Sequence, residues 1–69
     1  MSDKPQRLTA KEAEKFLLEN GFLLSRQKGS HRIYRKGKHR MVLPFHSGKI
    51  LHPKIIKELF EILEEAQST

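Results

Sequence analysis

Apolar residues recur at two different periods along this 69-residue chain, and the switches between them divide it into five segments. The run Thr9-Ala10-Lys11-Glu12 has the form of a capping box, in which a threonine hydroxyl and a glutamate three residues on satisfy the first free N–H groups of a helix. Ala13, Phe16, Leu17 and Asn20 follow at helical spacing, and Gly21 stands where a left-handed C-terminal cap is expected. A first helix is predicted over residues 9–20. Residues 22–27 read as a strand, with an alternation blurred by Leu23 and Leu24. Lys28-Gly29-Ser30 is a turn signal. Residues 31–35 alternate and contain Ile33 and Tyr34, both good strand formers. Lys36-Gly37-Lys38 reads as a tight hairpin loop with Gly37 supplying a positive φ. Residues 39–45 form the next strand, where Pro44 suggests an edge or a terminus. After the loop His46-Ser47-Gly48-Lys49, Pro53 suits the first position of a second helix. Ile55, Ile56, Leu59, Phe60, Ile62, Leu63 and Ala66 then make a broad apolar face over residues 53–66.

The predicted order is α-β-β-β-α, an α+β class. Its simplest packing is a three-stranded antiparallel sheet with both helices on one face, leaving the other face to solvent or a ligand. The expected organisation is a loose arm over residues 1–7, one domain over 8–66 and a tail over 67–69. A core of this size is marginal, and with no cysteine there is no disulfide to support it. The longest notable apolar run, Phe22-Leu23-Leu24, is far too short to cross a membrane, and the polar start carries no secretory segment. A cytoplasmic location is the expectation.

Charge changes the picture more than composition does. Residues 1–19 carry four Lys/Arg and four Asp/Glu, and residues 58–69 carry four Glu and no cation. Between them, residues 20–57 hold ten Lys/Arg and no acid. Solubility is better served by mixed signs, so such a block suggests a polyanionic partner, with nucleic acid the commonest. The second helix adds a conflict. Lys54 and Lys57 sit at its positive end and Glu64 and Glu65 at its negative end, against the macrodipole. A phosphate bound at the helix start among Lys49, Lys54 and Lys57 would account for that, and is favoured here over screened surface charge.

The candidate chemistry is narrow. Neither a Walker loop nor a dinucleotide fingerprint is present, and every acid in the predicted elements lies on a helix, away from where a magnesium nuclease would hold its metal. The four histidines, His31, His39, His46 and His52, are spaced eight, seven and six apart, unlike zinc ligands, so no metal site and no cofactor are expected. His39 reads as a surface residue beside the hairpin and His52 as a cap for the second helix. His31 follows Gly29-Ser30, a glycine that would let another backbone approach closely. Neighbouring cations disfavour a charged imidazole there. A neutral imidazole against RNA could take the proton of a 2′-hydroxyl, whose oxygen then attacks the adjacent phosphorus while cations stabilise the developing charge. Non-catalytic RNA binding explains the same residues equally well. Period two leaves one question open: either Ile33 or Tyr34 faces the core, and only the second choice puts His31 on the open sheet face.

The segments Lys28-Gly29-Ser30-His31-Arg32-Ile33-Tyr34-Arg35 and Pro44-Phe45-His46-Ser47-Gly48-Lys49, followed by a helix opened at Pro53, resemble the HicA toxin family. The first helix leading into Asn20-Gly21-Phe22 is similar too, and the likeness runs from about residue 8 to 63. The resemblance implies a fold like a double-stranded-RNA-binding domain, mRNA interferase activity in a toxin–antitoxin system, and a HicB antitoxin that covers the active site. It implies His31 as the catalytic residue and a supporting role for His46 and Gly29. The chain departs from the family where Gly-Thr usually follows the proline, having Lys54-Ile55, and in its C-terminal tail. Arg26, Lys28, Ser30, Arg32, Lys49 and Lys54 are the candidates for contact with RNA phosphate.

Overall fold

A computed structural model describes residues 7–46 and 49–67. Most of the arm and tail expected at the two ends lies outside the described residues, as do Ser47 and Gly48 of the loop after the third strand. The element order is α1 (Ala10–Glu19), β1 (Leu23–Lys28), β2 (His31–Lys36), β3 (His39–Pro44) and α2 (Pro53–Gln67), which is the α-β-β-β-α order read from the sequence.

Local chemistry explains each boundary. The Thr9 hydroxyl accepts from the Glu12 N–H at 3.2 Å, and the Thr9 N–H donates to the Glu12 carboxylate at 2.9 Å, so the capping box is complete. Gly21 closes α1 with φ +89°. Both strand connections are two-residue loops with glycine first, Gly29 at φ +59° and Gly37 at φ +58°, and only glycines have positive φ among the described residues. That pattern matches a type II′ turn, whose twist suits antiparallel strands. A Cβ placed on Gly29 would meet nothing within 4 Å, so within the chain this glycine serves the turn conformation.

The strands pair antiparallel in the order β1-β2-β3. The register of β1 on β2 jumps between Leu24↔Tyr34 and Arg26↔Ile33, leaving Ser25 as a bulge. Leu23 and Leu24, which blur the alternation in the sequence, face opposite sides and are both exposed. Pro44 closes β3, an edge strand, as the proline suggested.

Both helices pack on one face of the sheet, chiefly over β3. Ala13 and Leu17 of α1 and Leu59 and Leu63 of α2 meet Tyr34, Met41 and Leu43 of the sheet in one core. Tyr34, Phe22, Leu17, Leu43 and Leu59 are fully buried, and burial of each such side chain is worth about 1.5–3 kcal/mol. Phe16 and Phe60 meet edge to face between the helices, 5.6 Å apart. All six residues of β1 are exposed. The start of α1 is tied to the segment before α2 by a bridge between Thr9 and Ile50 and by the Leu51 N–H donating to the Leu8 carbonyl at 2.7 Å.

Candidate nucleic-acid interface

Tyr34, not Ile33, is the core residue of β2, with its side chain fully buried. Alternation then puts His31, Ile33 and Arg35 on the uncovered face. The registers extend this face into three rows across the sheet: Lys28–His31–Pro44, Arg26–Ile33–Val42 and Leu23–Arg35–Arg40. Two arginines, a lysine and a histidine are exposed at its margins, a third arginine stands at its middle, and Ile33 and Val42 form a half-buried floor. No acid stands in any row, and none of Arg26, Lys28, Arg35 and Arg40 is ion-paired among the described residues.

His31 opens β2 at one corner, directly after the Gly29-Ser30 turn. The Ser30 carbonyl accepts the Phe45 N–H at 2.6 Å, which fastens the turn to the end of β3. A shallow hollow of about 420 Å³ begins at His31, passes Pro44, Val42 and Arg40, and turns round the β3 edge to Ile55 and Glu58 of α2. An imidazole there is reachable by a polynucleotide.

The other expected site residues divide. Arg26 and Lys28 share the open face with His31, and Ser30 precedes it in the turn. Arg32 does not join them. It points to the helix side, where its guanidinium pairs with Glu14 of α1 at 3.1 Å and lies 4.0 Å from the centre of the Phe45 ring. The Tyr34 hydroxyl donates to the same Glu14 carboxylate oxygen. Burial first, then the hydrogen bond to Glu14 and its charge, push the Tyr34 phenol far above its ordinary range, so it stays protonated.

Lys49 and Lys54 are exposed near the start of α2 and belong to none of the sheet rows. The free N–H groups that a phosphate would need at that start are taken within the chain. His52 Nδ1 accepts the Lys54 N–H at 3.1 Å, and the His52 carbonyl accepts from Ile55 and Ile56 at 2.9 and 3.2 Å. His52 is thus the N-cap, and the argument for an anion held by those groups lapses. His46 is exposed after β3, and its carbonyl accepts the Lys49 N–H at 3.1 Å; no hydrogen bond links it to His31. Among the described residues no three His, Asp or Glu side chains converge as metal donors. Arg35 and Arg40 were not singled out in the sequence, though the hairpin register pairs them and period two places Arg35 with His31. That signal was available once Tyr34 was known to be core.

The fold and this face together define a small basic α+β domain, compatible with the double-stranded-RNA-binding type, that presents an uncovered cationic sheet. The family model described as HicA toxin of bacterial toxin–antitoxin matches residues 10–67, and the chain belongs to the HicA toxin family. Membership makes it a toxin of the toxin–antitoxin kind, whose natural partner is an antitoxin. No curated protein and no solved structure matches the chain. No helix among the described residues is long and apolar enough to cross a membrane.

Proposed function

We propose that the protein is an endoribonuclease toxin that cleaves mRNA in the cytoplasm with His31 as general base and is silenced by a HicB antitoxin seated over the same face. The observation that carries this reading is the exposed imidazole of His31 at the corner of an acid-free cationic sheet, beside Lys28. The imidazole takes the 2′-hydroxyl proton, and the 2′-oxygen forms a bond to the adjacent phosphorus. The bond from phosphorus to the 5′-oxygen breaks, and that oxygen leaves with the electron pair and takes a proton from solvent. The products are a 2′,3′-cyclic phosphate and a 5′-hydroxyl, and the nucleophile is the substrate's own. Lys28 and Arg26 are the nearest cations along the face for the charge that builds on the phosphoryl oxygens. Arg32, committed to Glu14, is left out of this set, and Lys49 and Lys54 are contacts for RNA beyond the reacting phosphate.

Purified protein incubated with RNA in EDTA tests the scheme. Cleavage persists under chelation, ends in cyclic phosphates, and falls about 10²–10⁴-fold in His31→Ala, with the denaturation midpoint unchanged because the side chain is exposed. Cleavage abolished by EDTA, or retained in His31→Ala, refutes it. The charge block alone favours a second reading, a non-catalytic RNA-binding module over residues 26–57. It predicts binding without cleavage, indifferent to His31.

A further inference from the structure

The open face offers cations, branched aliphatic side chains and the His31 imidazole but no Phe, Tyr or Trp ring, and this bears on which part of a nucleic acid it holds. The argument rests on reading that face as the RNA site. The chain has four Phe, one Tyr and no Trp, and all five rings are engaged elsewhere. Phe22 and Tyr34 are fully buried. Phe16 and Phe60 pack on each other against the core. Phe45 lies under the Arg32 guanidinium on the helix side.

Proteins that hold single strands usually join a cationic groove to rings on which bases stack, and each stacked base is worth about 5- to 150-fold in affinity. This face has the groove without the rings. Its end rows, Lys28–His31 and Arg35–Arg40, stand four residues apart along β2, about 13 Å at roughly 3.3 Å per residue. Between them the Ile33–Val42 pair gives an aliphatic floor that can meet a sugar but presents no π surface. Apart from His31, no side chain in the rows can accept a hydrogen bond from a 2′-hydroxyl.

We infer that the open sheet face grips the sugar–phosphate backbone of a single strand, with the bases turned to solvent. RNA and DNA strands then bind alike, and selection for RNA comes from the chemistry, since only RNA carries the 2′-nucleophile.

The test uses His31→Gln, so that substrate survives, and three 12-nucleotide strands read by fluorescence anisotropy. They are a mixed-sequence RNA, the DNA of the same sequence, and a fully abasic deoxyribose-phosphate strand. All three are expected to bind within tenfold of one another. Their affinities fall together with salt, with log K dropping by about 0.7 per phosphate contact. Abasic binding more than tenfold weaker than DNA, through bases stacking on a guanidinium or on an imidazole, overturns the inference, as does DNA binding more than tenfold weaker than RNA. If either happens while the wild type still cleaves RNA, only this inference falls. If no strand binds and the wild type cleaves nothing, it falls together with the nuclease reading.

Discussion

The two faces of one small sheet use the same residue types for opposite ends, and two arginines of β2 show it best. Arg32 and Arg35 lie three positions apart, so period two sends them to opposite sides. Arg32 enters the layer beneath the helices, where it shares the Glu14 carboxylate with the Tyr34 hydroxyl and lies over the Phe45 ring. Arg35 stands opposite Arg40 on the bare face and pairs with no acid among the described residues. A half-buried guanidinium left without its acid would be costly, and Glu14 meets that need through one Arg32 nitrogen, while Arg32 Nε is buried without a hydrogen-bond partner. On the other side the charges stay hydrated and repel one another mildly, a cost that an arriving polyanion reverses.

The contrast can be broken most severely at Tyr34. Tyr34→Ala removes a fully buried ring and is expected to cost about 3–5 kcal/mol in urea denaturation, enough to unfold much of so small a domain. Ile33→Ala, on the half-buried floor of the open face, is expected to cost well under half as much. The arginine pair sharpens the comparison at intermediate scale. Arg32→Gln is expected to lower the urea midpoint and to leave the salt slope of RNA binding unchanged. Arg35→Gln is expected to hold stability within about 0.5 kcal/mol while lowering that slope by about 0.7. A reversal of these two patterns would mean that the face assignment is wrong.

A pH titration probes the helix side alone. Tyr34 holds its proton to a higher pH in the folded state than in the unfolded chain, where tyrosine ionises near pH 10. Below that pH both states keep the proton and stability is unaffected. Above it the unfolded state binds fewer protons, so stability falls as pH rises, by up to about 1.4 kcal/mol per pH unit. Tyr34→Phe is expected to flatten this alkaline decline relative to the wild type, read as urea midpoints at pH 9, 10 and 11. The smallest effect is expected from Leu23→Ser. Leu23 is 71% exposed at the outer edge of β1, and its loss should shift stability by no more than about 0.5 kcal/mol.

The elements themselves were legible because their signals are local. The Thr9–Glu12 box, Gly21, the two glycine-led hairpin loops and Pro53 each act within a few residues, and the structure places all of them as the pattern predicts. Part of the site was legible in the same way, since His31, Lys28 and Arg26 belong to one hairpin. The place of Arg32 on the helix side was not legible, because its partner Glu14 is eighteen residues away on α1 and no spacing rule connects them. His52 caps α2 as its place before Pro53 suggests, and its ring takes the Lys54 N–H that a phosphate at the helix start would need.

The chain by itself determined the order of elements, the turns between them and the concentration of positive charge in its middle, since these depend on backbone preferences and composition. Which face of β2 is covered was settled only by packing. Ile33 and Tyr34 suit a core equally well by hydrophobicity, and the choice follows from the helices: Glu14 of α1 meets the Tyr34 hydroxyl that burial would otherwise leave unsatisfied. That long-range hydrogen bond turns Tyr34 inward, and the alternation of the strand then turns His31 out.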